Sequence, residues 1–246
     1  MRPTADQMRL AVDLKEALLA AYDPEAVILF GSLGRGDADE FSDVDLLVII
    51  ETDRDPSDLG KEMAEHLDPL AKDKHILVRT PQDFCGQRDI PGTIPFSVAR
   101  DGQVLFDKKG WRRRHLPVDS YETRKREVIR REYIRSARDF LNQAELALQG
   151  GNYFRCRDFA RFAAVRAIKG VFVKHNMDPP RETDLVELLS RAEEVEPDLS
   201  QSIGFVRELN GYCPNQGDTL EKRRSRRMLE RTARFVRGII GRYAPM

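Results

Sequence analysis

Cysteine is scarce: Cys85, Cys156 and Cys213 are the only three in 246 residues, and they lie far apart. Their spacing suits neither a disulfide framework nor a set of zinc ligands, so three reduced thiols are expected. Long apolar runs are lacking too. None approaches the roughly 20 residues of a bilayer-crossing helix. The N-terminus lacks the basic-then-apolar pattern of a signal peptide, so no membrane span is expected and the expected location is cytoplasmic. There is no internal repeat or low-complexity tract. An excess of one charge is also missing, because 41 Lys and Arg balance 41 Asp and Glu.

What is present describes a soluble globular chain, 41% hydrophobic and 33% charged. Its length suits two domains, each able to bury a core. The balanced charge hides an asymmetry: residues 1–110 hold about 13 basic and about 22 acidic side chains, so the remainder is correspondingly basic. A basic half can bind nucleic acid or a phosphorylated ligand, dock on the acidic half, or simply be solvated.

Apolar residues at helical spacing (Met8, Leu10, Ala11, Leu14, Leu18, Leu19) predict a helix over about 5–21. Residues 26–30 form a short apolar run that reads as a buried strand, and 31–36, rich in glycine, follow as a turn. Residues 44–50 predict a second strand interrupted only by Asp45. A helix is expected over 56–70, a strand over 75–79 and another over 102–106. After Trp111 strand signals stop. Segments 121–148, 153–174, 183–194, 200–209 and 220–243 read as helices. The expected fold class is α+β: a small mixed sheet flanked by helices over residues 1–115, then an all-α bundle over 116–246.

The informative segment is Gly31-Ser32, ten residues, then Asp43-Val44-Asp45. Side chains alternate along a strand, so Asp43 and Asp45 project from one face. Two carboxylates that near one another are costly unless a cation or proton shares them, and oxygen-rich pairs suit magnesium. Gly31-Ser32 offers backbone N–H groups and a hydroxyl able to hold triphosphate oxygens, and Arg35 can add positive charge on the same ligand. Taken singly, Gly-Ser is usually a turn and Asp-x-Asp often a loop or helix cap.

This arrangement, Gly31-Ser32-Leu33-Gly34-Arg35-Gly36 with Ser42-Asp43-Val44-Asp45-Leu46, resembles the minimal nucleotidyltransferases of the DNA polymerase β superfamily. The resemblance implies a magnesium ion on Asp43 and Asp45, and a nucleotide site at Gly31, Ser32, Arg35 and Ser42. The implied reaction moves a nucleoside monophosphate, expected to be AMP from ATP, onto a hydroxyl of a small antibiotic-like molecule or a protein. The basic half resembles a HEPN domain through residues 163–169 and 184–189. Related proteins often pair helical faces, which makes a homodimer an expectation of the resemblance.

Two departures stand out. The superfamily usually carries a third acidic residue on the next strand, where this chain has His75; His75, or Asp73 two residues earlier, is the expected general base. Glu127 and Glu132 on the first helix of the bundle are further candidates. Ribonucleolytic HEPN members carry an arginine and a histidine four to six residues apart, whereas His175 has no arginine at that spacing before it. The bundle is therefore expected to wall a substrate cleft rather than cut RNA. The competing expectations are a non-catalytic nucleotide- or RNA-binding module, suggested by the arginine-rich last helix, and a toxin-antitoxin-type regulatory chain.

Overall fold

Ala26 and Ile28 point to one side of strand β1 (Ala26–Phe30), Val27 and Leu29 to the other, and both sides are buried, which is why the run reads as continuously apolar. In the computed structural model, residues 5–71, 73–181, 183–214 and 219–243 are described. Two units emerge, Met1–Ser120 and Tyr121–Met246.

In the first unit, β1 pairs antiparallel with β2 (Val44–Ile49) and β4 (Gln103–Asp107), and β2 pairs parallel with β3 (Lys74–Arg79). The strand order is β3-β2-β1-β4. One sheet face carries Val27, Leu29, Leu46, Val48, Ile76 and Val78. It packs on Leu14 and Leu18 of α1 (Ala5–Ala21) and Met63 of α3 (Pro56–His66). The other face carries Ala26, Ile28, Leu47 and Ile49 beneath Phe84, Val98 and Trp111. Those three come from α4 (Pro81–Gln87), α5 (Ile94–Asp101) and α6 (Trp111–Arg114). This cover ends short of the next row, Phe30, Asp45 and His75, which is only partly buried or exposed. The sheet thus has one end where polar side chains can stand.

Three differences from the expected elements have local causes. Residues 31–36 are not an open turn: Gly31–Arg35 forms the short helix α2, closed by Gly36 in the left-handed region at φ 81°. Burial of Leu33 draws the segment inward, and helical bonds satisfy its backbone. Helix α3 stops at His66 instead of running to residue 70, because proline disfavours helical geometry in the residue before it, here Asp68 ahead of Pro69. Helices α4 and α5 were not anticipated; Thr80 and Thr93 cap them by accepting from Asp83 N–H and Phe96 N–H, with proline in each first turn.

The second unit is helical, with no strand among its described residues. Its first helix runs on through α7 (Tyr121–Val128), a π-helical stretch (Ile129–Arg135) and α8 (Ser136–Gln149). The wide turn includes the buried Tyr133, whose Cβ lies 3.1 Å from where a Cβ on Gly170 would sit. Then come α9 (Tyr153–Lys174), α10 (Leu185–Glu193), a 3-10 turn (Pro197–Ser202), α11 (Ile203–Gly211) and α12 (Thr219–Gly241). Among the described residues, no helix is long and apolar enough to cross a membrane.

Candidate functional site

The close approach of two strand ends builds the site. Phe30, the last residue of β1, pairs with Asp45, which in turn pairs with His75. Gly31 follows at φ 69°, and a Cβ there would lie 1.9 Å from Asp45 Oδ2 and 2.9 Å from its Cγ. Only glycine tolerates both that backbone and that contact. The Asp45 carboxylate therefore rests directly against the backbone that leads into Ser32.

Asp43 lies one residue ahead of β2, with Val44 buried between the two acids. His75 Nδ1 is 3.0 Å from Asp45 Oδ1 and 3.8 Å from Asp43 Oδ2. One nitrogen reaches both carboxylates, so the acids do share a side, as alternation requires. Burial pushes the Asp45 carboxyl above its ordinary range; hydrogen bonding and charge from His75 pull it back, Asp43 raises it further, and Arg35 lowers it. The net upward shift means that the fixed cations here do not compensate the ionised form, and a mobile cation would.

The remaining expected residues fall into place unevenly. Arg35 ends α2 and is bound to Asp37 by two contacts of 3.1 Å. The Ser42 hydroxyl donates to Asp39 Oδ1 (2.8 Å) and accepts from Asp39 N–H (3.0 Å), so here it closes a loop. Gln7, which carried no sequence signal, braces that loop by donating to the carbonyls of Asp39 and Ser42 at 2.7 and 3.2 Å. Asp73 does not join β3, which begins at Lys74. It sits exposed in the preceding bend, its carbonyl accepting from Val44 N–H, so the face-sharing with His75 that a strand start at residue 73 would have given is not found. In the second unit, Glu127 is held by Arg130 on its own helix at 2.6 Å.

Among the described residues, no group of three or more His, Cys, Asp and Glu is arranged to hold a metal. Two carboxylates on one side, one of them under-compensated, fit a cation such as magnesium, which takes one or two carboxylates and completes its shell with water and phosphate oxygens.

A groove of about 450 Å³ opens at Asp45 and His75 and follows β3 to Arg79, with Ser57, Gly60 and Lys61 of α3 on its other side. Of this lining, sequence reading singled out Asp45 and His75 but passed over Arg79, Ser57, Gly60 and Lys61, although His75, Leu77 and Arg79 lie on one face of a single strand.

Comparison with known families finds two matches. The polymerase beta nucleotidyltransferase model matches residues 13–110, and the HEPN domain model matches residues 131–241. No curated protein matches. Among solved structures, one similar chain is a nucleotidyltransferase-like protein from Exiguobacterium sibiricum, at 15% identity and a TM-score of 0.44, covering 96% of this chain and 78% of that one. Another is spectinomycin adenyltransferase from Enterococcus faecialis, solved with ATP and spectinomycin, at 13% identity and a TM-score of 0.45, covering 93% of this chain and all of the other.

Proposed function

We propose, for a chain that carries a polymerase beta nucleotidyltransferase domain followed by a HEPN domain, that its sheet-end site transfers a nucleoside monophosphate, AMP from ATP, to an acceptor hydroxyl. The observation that supports this best is the convergence on Asp45: Gly31 leaves room for its carboxylate on one side, and His75 Nδ1 contacts both it and Asp43 on the other.

In this reading Asp43 and Asp45 hold magnesium, which supplies neutralisation of the triphosphate and of charge on the attacking and leaving oxygens. Gly31 and Ser32 form the lip for the phosphates, and Arg35 adds positive charge once it shares or leaves Asp37. The Asp39–Ser42 loop, braced by Gln7, keeps Asp43 in place. The acceptor oxygen bonds to the α-phosphorus as the bond from that phosphorus to the bridging oxygen breaks. Pyrophosphate departs with the electron pair, and the hydroxyl proton passes to a base on the His75 side. His75 also orients Asp45 through their 3.0 Å contact.

The test uses the full chain with ATP labelled at the α-phosphate and magnesium, measuring pyrophosphate release and label transfer. Turnover is expected from the wild type and not from the Asp43→Ala/Asp45→Ala double variant. Equal turnover by both proteins, or magnesium-ATP affinity that ignores the double substitution, defeats the reading.

A second reading rests on α12. Arg223, Arg226, Arg227, Arg234 and Arg237 are exposed. Among the described residues they form no ion pair, unlike Arg224 and Arg231, which face Glu221 and Glu208. Such a ridge suits RNA, and its binding should weaken steeply with rising salt. Binding that is absent or indifferent to salt removes it.

A further inference from the structure

Resting on the transfer reading above, we infer that the acceptor is a small hydroxyl compound bearing an anionic group, a carboxylate or a phosphate, and that it is not a polycation. The argument begins with strand order. Gly31 and Ser32 follow β1 on one flank of the acid pair, whereas His75 stands on β3 on the other. A triphosphate seated on the Gly31-Ser32 lip leaves the His75 flank for the incoming hydroxyl. The 450 Å³ groove starts there, and its volume lies in the range of small-molecule sites.

The charge of its lining then selects the occupant. Lys61, Lys74 and Arg79 line it, and Asp45 is its one carboxylate among the described residues. Lys74 is buried and bound to Asp68 and the Ala71 carbonyl, each at 2.6 Å, so its charge is largely answered. Lys61 pairs with Asp58 at 2.9 Å, but both are well exposed and the pair is weak. Arg79 is different. Partly buried, it donates from Nη1 to the Val78 carbonyl at 2.8 Å and, among the described residues, forms no ion pair. Four residues along the strand from His75, its Cα lies about 13 Å away on the same face. A planar guanidinium there matches a carboxylate or phosphate two bonds at a time.

Phe30, level with His75 at one end, and Leu77, midway along the strand, add apolar lining, as does Pro56. The occupant that fits presents a hydroxyl to the His75 end, an apolar middle, and an acid to Arg79. A polycationic acceptor would set positive charge against Arg79 and Lys61 with no lining carboxylate beyond Asp45 to receive it.

The experiment is calorimetric titration of the full chain, preloaded with magnesium and a non-hydrolysable ATP analogue. One series compares 4-hydroxyphenylacetate, tyrosol and tyramine, which differ only in carrying an acid, a neutral group or an amine. Another compares glycerol 3-phosphate with glycerol, so the two arms separate carboxylate from phosphate. Acid-bearing probes should bind at least tenfold more tightly than their neutral partners, and tyramine more weakly than tyrosol. Arg79→Gln should erase the preference while leaving analogue affinity unchanged, and Arg79→Lys should restore part of it. Equal binding across either whole set, no binding by any probe, or preference for tyramine overturns the inference. Analogue binding that is indifferent to Asp45→Asn instead overturns the transfer reading on which it rests, so the two failures are distinct.

Discussion

Two carboxylate clusters, one in each unit, treat charge drawn out of water in opposite ways. In the sheet unit, Asp45 lies beside a second carboxylate, with burial and Asp43 together outweighing His75 and Arg35. In the helical unit Glu196, Lys125 and Tyr212 are each held by several partners, although Oε1 of the partly buried Glu193 has no hydrogen-bond partner among the described residues. Glu196 accepts from Lys174 at 2.7 Å and Arg242 at 3.2 Å and lies 3.1 Å from His175 Nε2. Lys125 is held by Glu122 and Asn176, and the Tyr212 hydroxyl by Glu221 and Ser225. A carboxylate whose cations are built in serves the fold, whereas one left short of cations is available to a ligand. The contrast also accounts for His175. Without the arginine spacing of a ribonuclease, it contributes to the Glu196 cluster instead.

The most forceful way to break this comparison is Asp45→Asn. It should reduce nucleotidyl transfer about a thousandfold, the size of several kcal/mol of lost charge stabilisation, without lowering the melting temperature. A clear drop in melting temperature on calorimetry would make Asp45 a structural residue like Glu196. Next, Glu196→Ala should destabilise the helical unit by about 3 kcal/mol, because it removes the charge-assisted hydrogen bonds that a buried carboxylate accepts from Lys174 and Arg242. Urea unfolding measures it, and magnesium-ATP affinity should stay within about twofold of wild type.

Smaller effects come from matched glycines. Gly31→Ala drives a Cβ into Asp45 Oδ2, while Gly170→Ala, on α9, meets Tyr243 Oη at 2.7 Å and Tyr133 Cβ at 3.1 Å. Each should cost about 1–3 kcal/mol, but only Gly31→Ala should also weaken magnesium-ATP binding. Equal loss of binding in both would erase the distinction between the units. Last comes pH. Burial raises Glu196, but hydrogen bonds from Lys174 and His175, the Lys174 charge and Arg242 outweigh it and hold the carboxyl below its ordinary 4.5. A lowered folded-state value gives stability that is present above 4.5 and lost as pH falls through the lower one. The acid limb of a stability–pH curve should therefore flatten slightly in Glu196→Gln, and an unchanged limb would count against the cluster.

Much of the architecture was readable in advance. The run 26–30 and the helices at 5–21 and 153–174 have the bounds that periodicity and breakers suggested, because those signals act over one or two turns of chain. The short helices α4 and α5 escaped notice although Thr80-Pro81 and the Thr93 cap mark their starts; a threonine before a helix looks much like one that ends a strand. The π-helical stretch had no signal, since the volume of Tyr133 matters only once Gly170 is opposite.

For the candidate site, the residues of Gly31-Ser32 and Asp43-x-Asp45 announced themselves, because alternation alone puts both acids on one side. The chain's own pattern determined which segments are strands and which residues are chemically able to meet a metal-bound phosphate. Tertiary structure decided that Asp45 touches Gly31 and His75, that Asp73 falls outside β3, and that Arg79 shares a groove with Asp45. The physical reason is that the register among three strands is set by hydrogen-bond ladders and by helices packed on both faces, interactions between residues tens of positions apart that no local sequence window contains.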